Sequence, residues 1–146
     1  TDVIHSCSRN LDALKMLQTH GLTGQSLHHV FTAAIQSKLL YCSPAWSGFT
    51  TAADRRRLDV FIRRSKRYGY CSPDALPVSE LFDNADNALF RAIINNSSHI
   101  LGHFLSIKSR NNYNARHRKH NFELIKKTTS LGDRNFLIRM LYKDIY

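Results

Sequence analysis

The sequence has few acidic residues for its 146-residue length. It contains 11 aspartates and glutamates against 21 lysines and arginines, which leaves a formal net charge of +10. An excess of positive charge on so small a chain attracts polyanions through its long-range field. Nucleic acid is the commonest partner of this kind, with an anionic membrane surface and a merely soluble basic protein as alternatives. Composition therefore favours a nucleic-acid-binding protein.

Long apolar runs, a signal sequence and paired cysteines are also absent from the sequence. No apolar run approaches the roughly 20 residues that a membrane-spanning helix needs, and no positively charged segment followed by an apolar one opens the chain. The three cysteines, Cys7, Cys42 and Cys71, are widely spaced and form no Cys-x-x-Cys motif. Their odd number argues against a disulfide framework and fits a reducing compartment. We expect an intracellular protein that has three free thiols and does not enter a membrane.

The motifs of common catalytic and metal sites are missing as well. There is no adjacent Asp-Asp pair, no Gly-x-Ser-x-Gly elbow and no glycine-rich phosphate loop followed by lysine. His99 and His103 share a predicted helix face, but Ile100 stands where a zinc protease would carry glutamate. The chain by itself is therefore expected to have no catalytic residues, no metal site and no cofactor.

Apolar residues instead recur at intervals of three and four, which is typical of amphipathic helices. They predict helices over residues 2–20, from Thr23 or Ser26 to the break at Ser43-Pro44, from Thr50 or Thr51 to about Tyr68 and over 78–95, with a short helix over 99–105. No segment alternates convincingly, so no sheet is expected. We predict an all-α fold with a small bundle of three to four helices in residues 1–70 and additional helices packing on it in 71–107. A basic extended arm in 108–131 and a C-terminal helix in 132–146, capped by Asp133, would follow.

The stretch Asp54–Tyr68 of the third predicted helix carries the most distinctive charge pattern. At 100° per residue, Leu58, Phe61, Ile62 and Tyr68 fall on one arc, and Arg56, Arg63 and Arg67 lie nearly opposite. Arg55, Arg57, Arg64 and Lys66 flank them. A helix that needed only solubility would mix charge signs, so the pattern favours a helix laid along a phosphate backbone, which arginine binds bidentately. The alternative is a solvated face.

The basic arm mixes cations with aromatic rings, a composition that suits single-stranded nucleic acid. A solvated linker is an equally good interpretation of this segment. Across the helix and the arm, the candidate nucleic-acid-binding residues are Arg55, Arg56, Arg63, Arg64, Lys66, Arg67, Arg116, Arg118 and Lys119.

Several segments, in this order and spacing, resemble the region downstream of the palm in jockey-like and chicken-repeat-like non-long-terminal-repeat retrotransposon reverse transcriptases. They are Lys38-Leu39-Leu40-Tyr41, Pro44-Ala45-Trp46-Ser47-Gly48-Phe49, Asp54-Arg55, Arg57-Leu58, Phe61 with Arg63-Arg64, Glu80-Leu81-Phe82, Ala85-Asp86, Leu89-Phe90, His99-Ile100-Leu101, Tyr113-Asn114 with Arg116, Arg118 and His120, and the stretch from Asn135 to Asp144. The resemblance spans nearly the whole chain. It implies that the chain is a fragment, the helical thumb and C-terminal extension of an RNA-directed DNA polymerase.

The same resemblance implies the partners. The fragment would bind RNA or DNA, as a template–product duplex, beside the palm domain that lies upstream in the parent polypeptide. The parent would use magnesium and act in the nucleus, whereas the fragment would lack the catalytic palm and the endonuclease and would not be an enzyme. An inactive structural remnant of a decayed element copy and a free-standing helical DNA-binding protein are the alternatives.

Overall fold

The computed structural model describes residues 2–105 and 120–143, with side chains from His5 onward. Helices are the regular elements of these ranges, and no β-strand forms within them, so the predicted all-α class is confirmed. The α-helices are α1 (Asp2–Thr19), α2 (Gly24–Phe31), α3 (Ser37–Leu40), α4 (Ser43–Trp46), α5 (Ala52–Arg67), α6 (Val78–Asn95) and α7 (Phe136–Tyr142). Short 3₁₀ helices cover Ser47–Phe49, Ile100–Phe104 and Gly132–Arg134. No helix in the described ranges is both long enough and apolar enough to cross a membrane.

A π-helical turn, Thr32–Gln36, joins α2 to α3 and makes residues 24–40 one helical run. The buried side chains of this run, Leu27, Phe31, Ile35 and Leu39, follow one another at a strict four-residue spacing. Such a spacing drifts around an α-helix, which has 3.6 residues per turn. The wider π turn takes more residues per turn and counteracts the drift. It therefore keeps all four side chains on the buried side.

One compact unit comprises Thr1–Ser43 and Thr50–Asp83. In it α1 contacts the helical run 24–40, and the Asn10 side-chain amide donates to the Ala34 carbonyl oxygen at 3.0 Å. Its buried apolar residues come from α1, from that run, from α5 and the loop after it, and from the first turns of α6. This first unit contains the whole basic helix.

The other compact unit comprises Pro44–Phe49 and Asn84–Tyr146. Its core consists of buried residues from α6 and α7, namely Phe90, Ile93, Phe136, Met140 and Leu141. Half-buried Phe122, Leu124 and Ile125 pack against this cluster from a segment without helix, and the Tyr142 hydroxyl donates to the Ile125 carbonyl oxygen at 3.0 Å. The C-terminal half of the predicted arm thus contributes to a core, while residues 106–119 lie outside the described ranges.

The division between the two units falls inside α6, after Asp83, and the predicted domain bounds stay a prediction. Two other expectations differ from the structure. Asp133 does not cap the last helix: it lies in a 3₁₀ turn, and the Asn135 side chain accepts from the Leu137 amide at 2.9 Å instead. Tyr68, which the helical pattern places on the apolar arc with Leu58, Phe61 and Ile62, is 49% exposed, because the helix ends before it.

Candidate nucleic-acid interface

The N-terminus of α5 is fixed by reciprocal hydrogen bonds between Thr51 and Asp54. The Asp54 amide donates to the Thr51 hydroxyl oxygen at 3.1 Å, and the Thr51 hydroxyl and amide donate to the Asp54 carboxylate at 2.6 and 3.2 Å. This is a capping box, which supplies partners to amide groups that a helix start leaves unpaired. The hydrogen bonds from Thr51 lower the pKa of Asp54, with a smaller contribution from the nearby Arg57 charge.

Asp59, the other acidic residue of α5, also has a structural hydrogen bond. Its carboxylate accepts from the Val78 amide at 3.2 Å, which links the first residue of α6 to the middle of α5. Both negative charges of the basic helix are therefore hydrogen-bonded at the starts of helices.

The apolar side of α5 packs into the first unit through Leu58, Phe61 and Ile62. Ser65 is buried on the same side and donates to the Phe61 carbonyl oxygen at 3.0 Å. A well-packed inner face fixes the rotation of the helix about its axis. The direction in which the arginines point is therefore set by the core.

Arg56, Arg63 and Arg67 are exposed, as the helical pattern predicts. Within residues 2–105 and 120–143, no hydrogen bond or ion pair engages these three guanidinium groups. Their side chains are exposed on the side of α5 opposite the buried stripe. We call these three residues the arginine face.

The other predicted residues of α5 flank the arginine face. Arg55 Nε donates to the Thr50 hydroxyl oxygen at 2.9 Å, and the Arg64 guanidinium lies 5.7 Å from the centroid of the Tyr68 ring. Lys66 is half-buried and, with Asp59, Ile62, Arg63 and Pro77, lines a groove of about 290 Å³. The structure thus brings all six predicted α5 residues onto one helix, but only the arginine face lies directly opposite the buried stripe.

Arg116, Arg118 and Lys119 lie outside the described residues. The segment that follows them is held to α7: a ring nitrogen of His120 lies 3.1 Å from the Leu141 carbonyl oxygen, and Lys127 Nζ lies 4.2 Å from the centre of the Tyr142 ring. The C-terminal half of the predicted arm is therefore held against α7.

Sequence reasoning missed a polar cluster in the second unit, centred on Arg139. Its guanidinium pairs with the carboxylate of Asp86, which is 2% exposed, at 2.6 Å. It also donates to the Pro44 carbonyl oxygen at 3.1 Å and to the Ser47 hydroxyl at 3.3 Å. One signal was available: Asp86 stands four residues after Phe82 and four before Phe90, on the apolar stripe of α6. A charge at such a position needs a buried partner.

No known protein family, curated protein or solved structure matches the chain significantly. Within the described ranges, no three histidine, cysteine, aspartate or glutamate side chains lie close enough together to hold a metal ion.

Proposed function

We propose that the chain is the thumb and C-terminal segment of a non-long-terminal-repeat retrotransposon reverse transcriptase, and that it binds a template–product duplex through the arginine face. The observation that carries the proposal is the orientation of Arg56, Arg63 and Arg67. They are exposed opposite a packed apolar stripe on a helix whose two acids are both engaged in hydrogen bonds at helix starts. Like charges so close together destabilise a helix, and a polyanion would relieve that repulsion.

The polar cluster around Arg139 is a second, independent observation that supports the resemblance. Three segments that carry the resemblance, Pro44–Phe49, Ala85-Asp86 and Asn135–Asp144, supply the groups that meet around the Arg139 guanidinium. Residues of the resemblance that are far apart in the sequence thus contact one another in the fold. This is what a common fold behind the resemblance would require.

The test is duplex binding measured by fluorescence anisotropy across a salt series, with an RNA–DNA hybrid and a DNA duplex in parallel. Each phosphate contact contributes about 0.9 to the slope of log K against log salt on duplex DNA. Replacing Arg56, Arg63 and Arg67 by glutamine should therefore flatten the slope by roughly two to three units and weaken binding to every sequence alike.

A matched control removes the same charge elsewhere. Arg9, Lys15 and Arg91 are exposed cations on α1 and α6, and their triple glutamine variant should keep most of the slope. Equal loss in both variants would show that net charge alone drives binding. An unchanged slope in the α5 variant with intact helicity by circular dichroism would favour the inactive-remnant alternative.

The parent polymerase would supply the palm and its magnesium, so the fragment alone should not extend a primer. Primer extension on an RNA template with magnesium and nucleotides tests this, and extension above that of a boiled sample would contradict it. A free-standing DNA-binding protein is the remaining alternative. It would prefer the DNA duplex, whereas the thumb should bind the hybrid at least as well.

A further inference from the structure

The C-terminal end of α5 carries an exposed aromatic ring beside its arginines. Gly69, with φ +73°, turns the chain after Tyr68, and the Tyr70 amide donates back to the Ser65 carbonyl oxygen at 3.0 Å. This turn sends Tyr70, which is 6% exposed, into the core and leaves Tyr68 49% exposed. The sequence pattern therefore placed the wrong tyrosine inside, and an aromatic surface stands on the outside of the basic helix.

The Tyr68 ring is held in place by its neighbours. The Arg64 guanidinium lies 5.7 Å from the ring centroid, within the range of a cation–π interaction. The Tyr70 ring centroid lies 5.8 Å away, with the two planes tilted by 38°. A ring that is already ordered loses little conformational freedom when it binds a flat ligand. The exposed and ordered Tyr68 ring can thus stack on a flat ligand at little entropic cost.

Arg67 precedes Tyr68 directly, and Arg57 and Arg64, seven residues apart, share the flank of α5 that leads to it. Aromatic rings interleaved with cations bind single-stranded nucleic acid, because bases stack on the rings while phosphates pair with the charges. A surface that binds an apolar protein segment would instead have apolar residues around the ring. The arginines around Tyr68 therefore favour a nucleic-acid ligand.

We propose that Tyr68 stacks on the first unpaired nucleobase that follows the duplex bound on the arginine face. The inference rests on the proposed function and adds that the ligand is a duplex with a single-stranded extension. Tyr68 lies five residues beyond Arg63, which is about 7.5 Å along a helix axis. Along the axis this corresponds to roughly two nucleotides at 3.4 Å each, and Arg67, which directly precedes Tyr68, extends the arginine face up to the ring.

The experiment compares three ligands by anisotropy: a blunt duplex, the same duplex with a short overhang, and one whose overhang is abasic. The abasic overhang carries the same phosphates without the bases, so its comparison with the normal overhang isolates stacking. One stacked base should strengthen binding by about 5- to 150-fold. Overhangs of RNA and of DNA form separate arms. In a parallel titration, 2-aminopurine at the first unpaired position should lose fluorescence on binding.

Tyr68→Leu should abolish the advantage of the normal overhang over the abasic one, while Tyr68→Phe keeps it. Tyr41→Leu is the matched control, because Tyr41 is 76% exposed and has no arginine within two residues on either side. Circular dichroism checks that each variant keeps its helicity.

The possible outcomes separate the inference from the proposed function. If the unaltered protein binds the blunt duplex but binds the normal overhang no more tightly than the abasic one, the inference is overturned and the proposed function is not. An advantage that survives in Tyr68→Leu overturns it too, because the base then stacks elsewhere. Failure to bind any of the three ligands at low salt overturns both. The unaltered protein decides the first and third outcomes, so a poorly folded variant does not prevent the test.

Discussion

At the scale of single residues, Gly48 is a position where only hydrogen fits. A Cβ atom there would lie 2.1 Å from the Arg134 carbonyl oxygen and 2.7 Å from Arg139 Nε. The first of these is backbone and cannot move aside like the end of a side chain. Gly48→Ala should therefore lower the free energy of unfolding by about 1–3 kcal/mol, as overpacking does.

Gly102 provides the comparison for this substitution. It lies in the same unit, and a Cβ there would meet nothing within 4 Å. Gly102→Ala should change stability by no more than about 0.5 kcal/mol. Urea unfolding followed by circular dichroism measures both variants, and similar losses in the two would contradict the close approach at Gly48.

The Arg139–Asp86 pair is the second prediction at this scale. The Asp86 side chain is 3% exposed and that of Arg139 is 24% exposed, so removing the arginine leaves a nearly buried carboxylate without its cation. Breaking a buried pair costs about 3–5 kcal/mol, and the partial exposure of Arg139 argues for the lower end. Arg139→Met should therefore destabilise by about 3 kcal/mol.

A second substitution separates the charge from the packing. Asp86→Leu added to Arg139→Met removes the stranded carboxylate and should recover part of the loss, since apolar replacements of buried pairs are often neutral. Arg91→Met, which removes an exposed cation from α6 in the same unit, should cost no more than about 0.5 kcal/mol. If the double variant were less stable than Arg139→Met, the carboxylate would not be the source of the loss.

At the scale of elements, the start of α5 depends on its capping box. Thr51→Ala removes the acceptor of the Asp54 amide hydrogen bond and should cost about 1 kcal/mol. Thr23→Ala is the matched control, because Thr23 is the N-cap of α2 but makes no side-chain capping hydrogen bond. Its cost should be a few tenths of a kcal/mol at most.

The cost of Thr51→Ala should also depend on pH. The folded-state pKa of Asp54 is lowered, chiefly by the hydrogen bonds from Thr51, so its contribution is present above the ordinary aspartate pKa of about 3.9. The contribution is lost as the pH falls through the lowered pKa. The urea midpoints of Thr51→Ala and the unaltered protein should therefore differ most near neutral pH and differ less in acid, where only the hydrogen bond from the Asp54 amide to Thr51 still distinguishes them. A constant difference would show that the carboxylate takes no part.

The limits of α5 were predictable from sequence because both are set by local chemistry. Thr51 with Asp54 forms its start, and Gly69 turns the chain after its end. Tyr68 was misplaced because the 100° rule was extended one residue past the helix. The cap of α7 was misplaced by two residues, since Asp133 and Asn135 are both good caps and the 3₁₀ turn selects the second.

At the scale of the whole molecule, the all-α class and the outward arginine face followed from periodicity alone, because core and surface alternate regularly along a helix. Contacts over long sequence separations did not follow. Arg139 and Asp86 are 53 residues apart, and Arg139 and Pro44 are 95 apart. Such pairings depend on how separate elements meet, which a single-helix pattern does not encode. For the same reason, the sequence did not indicate that α6 contributes buried residues to two units.

Because α6 serves both units, we expect the two to unfold together. It contributes buried Val78, Leu81 and Phe82 to the first unit and Phe90 and Ile93 to the core of the second. If α6 melts as a whole, both units lose core residues at once, which makes partial unfolding costly. A single cooperative transition is therefore expected in urea.

Each unit contains its own probe of this transition. Trp46 is the only tryptophan of the chain and lies in the second unit, so its fluorescence reports there. Cys7 and Cys71 are buried free thiols of the first unit, and burial raises the pKa of both. They should react slowly until that unit opens, whereas exposed Cys42 reacts at once.

Tryptophan fluorescence and thiol protection should show one midpoint in urea, and Gly48→Ala, which perturbs the second unit, should shift both equally. A shift in Trp46 fluorescence without a shift in thiol protection would mean that the units unfold independently and that α6 does not couple them.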